Sequence, residues 1–126
     1  MRTVLLLFVL FTCGLVSAQT PTPIAASAKQ TYLVVYKPGP KWDTSKSMAE
    51  QPLKEHFKYM ITLYTSGTMR FAGPFAKDAG GAVVFDAETD ADALKIVKSD
   101  PAVIGQIFTF ELNRWDLVQW DKYVKK

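Results

Sequence analysis

The sequence of 126 residues predicts an α+β fold with elements in the order β-α-β-β-α-β. Four short segments are rich in β-branched and aromatic residues, which is typical of strands. Two longer segments carry apolar residues at helical spacing. A β-α-β unit repeated in this way forms a ferredoxin-like sheet with two helices on one face.

The first strand is predicted at Thr31 to Lys37 (TYLVVYK), and Pro38-Gly39-Pro40 ends it. It is apolar at nearly every position, which indicates burial on both faces. The two predicted helices can cover only one of these faces. We therefore expect a second copy of the chain to cover the other, giving a homodimer in which the two sheets pack against each other.

The first helix is predicted to begin near Pro52 and to end at Ser66-Gly67, because proline suits a first turn and glycine a helix end. His56 is the chain's only histidine, and it lies at the border of the apolar stripe of this helix. At that border a side chain can reach a cleft while its backbone stays fixed. The predicted stripe consists of Leu53, Phe57, Met60 and Tyr64, with Ile61 beside them.

The second half of the domain is predicted from similar signals. The second strand runs from Met69 to Ala72 and ends at Gly73-Pro74, and the third runs from Ala82 to Asp86 after Gly80-Gly81. The second helix starts at Thr89, with Ala93, Leu94 and Val97 predicted on its inner face. It ends at Ser99-Asp100-Pro101, because the residue before a proline avoids helical geometry.

The last strand is predicted at Ile107 to Leu112, with Phe108, Phe110 and Leu112 on one face. The tail from Trp115 to Tyr123 fits either an additional strand or a helical turn that packs Trp115, Leu117 or Trp120.

The N-terminus has the pattern of a secretory signal peptide over residues 1–18. Arg2 precedes an apolar run from Val4 to Val16, and Val16-Ser17-Ala18 provides small residues before a cleavage site. The run is too short to span a membrane comfortably, so we expect no membrane association after cleavage. Residues 19–30 are predicted to be a linker, residues 31–126 the domain, and the location secreted or periplasmic. A buried N-terminal helix and a lipoprotein modified at Cys13 are the alternatives.

Composition excludes several classes of site. Cys13 is the only cysteine, so a chain cleaved after Ala18 has no disulfide and no thiolate ligand. One histidine without cysteine does not supply the usual zinc ligand sets, and we expect no metal and no organic cofactor. The net charge of +3 is spread among both signs rather than gathered in a basic stripe, so nucleic-acid binding is not expected.

The candidate functional block lies between the second and third strands. A Gly73-Pro74 turn followed by Phe75 and a Gly80-Gly81 turn bracket Asp78, which can bring this carboxylate to the same cleft as His56. Histidine can act as a general base near neutral pH, and a carboxylate on its second ring nitrogen fixes the tautomer. The four turn residues also have a purely structural explanation, which is unusual φ angles or close packing.

Three further residues have open roles. Asp100 before Pro101 is either a helix cap or the acid that pairs with His56. Lys77, or a backbone N–H near Gly80-Gly81, can stabilise a developing enolate oxygen. Trp42, isolated in a polar loop, either lines the pocket or covers the end of the domain.

From about Tyr32 to Trp115 the sequence resembles the YCII-related family of small dimeric α/β-barrel domains. The resemblance depends on an ordered set of short motifs. These are Tyr36-Lys37-Pro38-Gly39-Pro40 with Trp42, His56, Gly67, Ala72-Gly73-Pro74-Phe75 with Asp78, Gly80-Gly81, Asp100-Pro101-Ala102 and Trp115.

The resemblance implies a dimer with its sheets face to face, and a site made of a helix histidine and an aspartate. Carried over to this chain, these are His56 and Asp78, with Asp100 as the alternative. Lys77 departs from the family pattern, in which many relatives have an acidic residue, and this puts a two-carboxylate mechanism in doubt. The implied function is a cofactor-independent lyase or isomerase that moves a proton on a small molecule. The alternatives are a non-catalytic ligand-binding module and a structural dimer.

Overall fold

The computed structural model describes residues 28–77 and 79–124. The predicted signal peptide and residues 19–27 of the predicted linker lie outside these ranges. Four strands form one antiparallel sheet in the order β2-β3-β1-β4. They are β1 (Gln30–Pro38), β2 (Met69–Pro74), β3 (Gly81–Ala87) and β4 (Phe108–Arg114).

The helices are α1 (Lys54–Thr65), α2 (Asp90–Lys98) and the short α3 (Pro101–Ile104), with 3-10 turns at Met48–Glu50 and Trp120–Lys122. This arrangement confirms the predicted ferredoxin-like α+β fold. Within the described part of the chain, no helix is both long and apolar enough to cross a membrane.

β1 lies inside the sheet and supplies the centre of the core. Tyr32, Val34 and Tyr36 alternate along it and are almost completely buried beneath the helices. Leu33 and Val35 point to the other face and are only partly buried. β3 repeats the pattern, because Val83 pairs with Val34 and Phe85 with Tyr32 across the ladder.

α1 presents only part of its predicted apolar stripe to the core. Met60 and Leu63 are buried, whereas Phe57 and Tyr64 are 67% and 65% exposed. The predicted apolar stripe therefore meets the core only at Met60 and in part at Leu53, and it is wrong as a core face at Phe57, Tyr64 and Ile61. Part of this apolar surface lines a groove described below.

α2 and α3 are each capped by a side chain at the predicted position. Thr89 precedes α2, and its Oγ1 accepts the N–H of Asp92 at 3.1 Å. Asp100 precedes α3 and accepts the N–H of Ala102 at 2.8 Å. On α2 the prediction for Leu94 is wrong, since only Ala93 and Val97 are buried there.

The tail after β4 does not add a strand in the described residues, and its residues do not pack inward. Trp115 donates its N–H to the carbonyl of Thr31 at 2.8 Å, which prolongs the β4 edge by one contact. Beyond it the chain makes the 3-10 turn predicted as one alternative. Leu117 and Trp120 are 48% and 70% exposed, so their predicted packing is wrong.

Candidate functional site

His56 in α1 and Asp100 before α3 form a hydrogen-bonded pair. Nδ1 of His56 lies 2.9 Å from Oδ1 and 2.8 Å from Oδ2 of Asp100. Because an ionised carboxylate only accepts, Nδ1 carries the hydrogen in this pair. The neutral imidazole then presents Nε2 as its proton acceptor, which is the arrangement of a general base held in one tautomer.

Asp100 is a rigid partner because it is fully buried and bonded on two sides. Its side chain has no exposed surface, and Oδ1 accepts from both His56 and the Ala102 backbone. Pro101 supplies the first residue of α3 with a fixed φ, which holds the cap in place. The same carboxylate thus ends the connection after α2, starts α3 and orients the imidazole on α1.

Two aromatic rings fix the plane of the imidazole. The Tyr36 and Phe108 ring centroids lie 5.6 Å and 5.5 Å from that of His56, both in edge-to-face geometry. Trp42 in turn stacks on Phe108, with ring centroids 5.5 Å apart. The imidazole side chain remains 17% exposed, so it is enclosed but reachable.

The tyrosines near Asp100 remain protonated well into the alkaline range. Burial and the negative charge of Asp100 raise the pKa of Tyr36 far above that of a free phenol. The same two causes raise the pKa of Tyr59, whose hydroxyl donates to the carbonyl of Ile96 at 2.8 Å. Tyr36 is therefore a neutral hydrogen-bond donor beside the carboxylate at any physiological pH.

His56 opens onto a groove of about 500 Å³ between α1 and the β2 edge of the sheet. This volume lies in the range of small-molecule sites. Among the described residues, the titratable side chains that line it are His56, Tyr36 and Tyr64, and the remaining lining is mostly apolar. The apolar side chains include Met48, Leu53, Phe57, Met60, Ile61, Met69 and Val83.

The predicted turn residues form one wall of this groove. Gly73, Pro74, Gly80 and Gly81 all line it. Gly80 has φ +116°, and a Cβ there would collide with the carbonyl oxygen of Tyr36, so glycine is required. Gly73 meets neither predicted reason for a glycine, because its φ is not positive and a Cβ would touch nothing within 4 Å.

The remaining predicted residues have different positions. Asp78 lies outside the described residues. Lys77 is exposed and Phe75 is 42% exposed, and neither is among the described side chains that line the groove. Trp42 stacks on Phe108 and is not among the described side chains that line the groove.

Sequence reasoning missed the aromatic and sulfur-containing side chains of the site. Tyr36 was predicted as a strand residue and as part of the family motif, Phe108 and Met69 only as strand residues, and Met48 was not considered. A signal for Tyr36 exists, because it lies on the same strand face as the core residues and at the end of β1. No group of three or more His, Cys, Asp or Glu side chains comes together within residues 28–77 and 79–124.

A family model of the YCII-related domain matches residues 31–116. The chain belongs to the YCII-related domain family. This confirms the resemblance inferred from the sequence motifs, and the match includes both His56 and Asp100. A comparison with curated proteins gave no match.

Among solved structures, this YCII-related domain is similar to 5-chloro-2-hydroxyhydroquinone dehydrochlorinase from Burkholderia phenoliruptrix AC1100 in complex with 2,5-dihydroxybenzoquinone. The TM-score is 0.53 and the sequence identity is 19%. The alignment covers 68% of this chain and 93% of the dehydrochlorinase chain. At this identity the similarity supports the fold.

Proposed function

We propose that this YCII-related domain is a small-molecule lyase or isomerase in which His56 transfers the proton. The observation that carries the proposal is the bond from Nδ1 of His56 to the buried Asp100, at 2.8 Å, on the wall of an apolar groove. Nε2 takes a proton from the substrate, and the Asp100 carboxylate stabilises the imidazolium that results.

The proton balance requires no further reactant. In an elimination, the C–H or O–H electron pair of the substrate forms the new double bond, and the leaving group departs as an anion with its own bonding pair. The imidazolium then releases its proton to water, which restores the base for the next turnover. In an isomerisation, the imidazolium returns the proton to another carbon. The name of the dehydrochlorinase with a similar fold denotes an elimination, which supports a lyase rather than an isomerase.

The groove lining favours an uncharged, flat molecule. No Lys, Arg, Asp or Glu side chain lines it within the described residues, so a carboxylate or phosphate group would lose its hydration without compensation. Aromatic and thioether side chains instead offer favourable contacts to a ring. We therefore propose a neutral aromatic-derived substrate with a hydroxyl group within reach of His56.

The homodimer predicted from β1 belongs to the same proposal. Leu33, Val35 and Val84 lie on the sheet face opposite the core, and Phe71 beside them is 72% exposed. Burying these side chains between two copies would remove their apolar surface from water. The charged pairs Lys37–Glu111 and Arg70–Asp86 lie on or beside this face. Their hydration limits the area of the face that a second copy can bury.

The proposal is tested by screening chlorinated and hydroxylated quinols for release of chloride or appearance of quinone absorbance. His56→Gln is compared with Lys58→Gln, an exposed change on the same helix. We expect turnover by the wild-type chain and Lys58→Gln, and a loss of at least 100-fold in His56→Gln. Equal turnover by His56→Gln would overturn the role of His56. Ligand binding without turnover by any chain would instead support the ligand-binding module.

A further inference from the structure

An apolar stripe on α1 faces solvent at the mouth of the groove. Phe57, Ile61 and Tyr64 are 67%, 48% and 65% exposed, and all three line the groove. Their spacing places them on one side of the helix. We call these three residues the mouth stripe. Isolated exposed apolar residues are ordinary, but a contiguous apolar patch on the rim of a groove marks a binding surface.

The C-terminal tail carries a second exposed apolar surface. It leaves β4 at the edge of the sheet opposite β2, about 14 Å from the groove edge at the usual strand spacing. The tail lies almost entirely beyond the family match, which ends at residue 116. Its exposed side chains are Leu117 (48%), Val118 (51%), Trp120 (70%), Tyr123 (74%) and Val124 (69%).

We propose that the tail of a second copy of this chain packs on the mouth stripe and closes the groove, with Trp120 as its main contact. Each copy provides one tail and one mouth stripe, so a two-fold axis satisfies both at once. The site is then complete only in the dimer. The proposal uses the proposed function only in taking the groove as the reaction site.

The exposed area is sufficient for this interface. A fully buried aromatic side chain removes roughly 150–250 Å² from water, so Phe57, Tyr64, Trp120 and Tyr123 at their observed exposures offer about 500 Å² per copy. The aliphatic side chains of the two surfaces bring this to about 800 Å², the area that a stable dimer buries on each partner.

The two surfaces carry charges of opposite sign that can meet. Lys54 is exposed and lies three residues before Phe57, on the same side of α1. Lys58 already pairs with Glu55 at 2.8 Å, so Lys54 is the cation best placed to meet a carboxylate. On the tail, the exposed Asp121 follows Trp120 directly and is the carboxylate best placed to meet Lys54, because Asp116 lies 3.8 Å from Arg114.

A second copy also has the reach that the contact requires. Two sheets packed face to face lie about 10 Å apart. An extended segment spans about 3.3 Å per residue, so residues 115 to 120 reach about 17 Å. In a dimer whose two-fold axis sets β4 of one sheet opposite β2 of the other, this length crosses the gap of about 10 Å and leaves about 7 Å for passing the β2 edge. The tail contact therefore fits the sheet-to-sheet dimer proposed above.

The test uses the full chain with Cys13→Ser, which leaves no natural thiol. The double variant Phe57→Cys/Trp120→Cys is oxidised and run on a denaturing gel without reductant. The matched control is Ile104→Cys/Trp120→Cys, because Ile104 is 69% exposed and lies on α3, away from the groove. Circular dichroism checks the fold, and light scattering gives the oligomeric state of the unsubstituted chain.

We expect a dimer in solution and a disulfide-linked species of twice the chain mass for Phe57→Cys/Trp120→Cys, at least tenfold more abundant than in the control. A monomer, a disulfide closed within one chain, no disulfide, or equal linkage in the control would each overturn the proposal. The linkage is read without substrate. It therefore succeeds or fails independently of the turnover measured for His56→Gln.

Discussion

Oδ1 of Asp100 accepts two hydrogens, one from Nδ1 of His56 at 2.9 Å and one from the backbone of Ala102 at 2.8 Å. A single carboxylate oxygen thus joins α1 to the first turn of α3. The imidazole is oriented by a group that the fold itself needs, because Asp100 is the cap of that turn.

Asp100→Ala is expected to lower the free energy of unfolding by about 2–4 kcal/mol. Loss of a helix cap costs about 0.5–2 kcal/mol, and the lost bond to a mostly buried imidazole adds about 1–3 kcal/mol. Asp100→Asn keeps an accepting oxygen and is expected to cost only about 1 kcal/mol. Urea denaturation of the three chains measures this, and equal losses in both variants would contradict it.

Gly80→Ala is expected to destabilise the protein by at least about 2 kcal/mol, because a left-handed φ strains an L-residue and the new Cβ meets the Tyr36 carbonyl. Gly73→Ala on the same groove wall is the control. Its Cβ meets open space, so we expect a change within about 1 kcal/mol. Thermal unfolding followed by circular dichroism compares them. Similar losses of stability in the two variants would contradict the requirement for glycine at position 80.

Stability is expected to fall above pH 10 because two buried tyrosines hold their protons in the folded state. The hydrogen bond to Asp90 raises the pKa of Tyr32 to about 12, and burial with the Asp100 charge raises that of Tyr36 further. When folding raises the pKa of a tyrosine, its contribution to stability is complete below pH 10, near the pKa in the unfolded chain. This contribution is lost as the pH rises from 10 through the pKa in the folded state.

The pH effect is measured by urea denaturation between pH 8.5 and 12. Tyr36→Phe and Tyr32→Phe are each expected to flatten the fall in stability, since phenylalanine cannot ionise, and the double variant to flatten it most. A Tyr36→Phe chain with the same slope as the wild type above pH 10 would contradict this account.

Leu63→Ala is expected to cost about 2–4 kcal/mol, since Leu63 is a buried core residue on α1. Leu94→Ala on α2 is expected to cost about 1 kcal/mol or less, because 37% of Leu94 is already exposed. The free energy of unfolding of both variants, measured in urea, tests the helix faces that the structure assigns. A larger loss of stability for Leu94→Ala than for Leu63→Ala would contradict these helix faces and support the predicted inner position of Leu94.

Export of the protein is a further proposal. When the full chain is expressed with its own N-terminus in a host with a secretory pathway, we expect cleavage after Ala18. Intact-mass measurement would then give a chain beginning at Gln19. Ala18→Arg, which disrupts the small-residue site, should leave the leader attached. A wild-type chain that keeps Met1 to Ala18 would contradict the proposal.

The element order was predictable because its signals are local. Gly80-Gly81, Thr89 and Asp100-Pro101 each determine a boundary through their own backbone preferences, and the observed strands and helices begin within a residue or two of those positions. The core face of α1 was not predictable in this way. An apolar stripe looks the same in sequence whether it faces a core or the rim of a groove.

The partner of His56 was beyond local signals. Asp78 and Asp100 both stood as candidates, and the observed bond joins residues 44 positions apart. Such a contact depends on how α1 and α3 pack, which no spacing rule encodes. The prediction of a cap at Asp100 and that of an acid at Asp100 were treated as alternatives, whereas one buried carboxylate fulfils both geometries.

Met48, Met60 and Met69 all line the groove, and they are the only methionines after Met1. Thioethers are readily converted by peroxides into sulfoxides, which are polar and strongly hydrated. Oxidative damage to this chain would therefore concentrate where a neutral ligand has to displace water. The His56–Asp100 pair would remain intact after such oxidation, but the groove beside it would hold water more strongly.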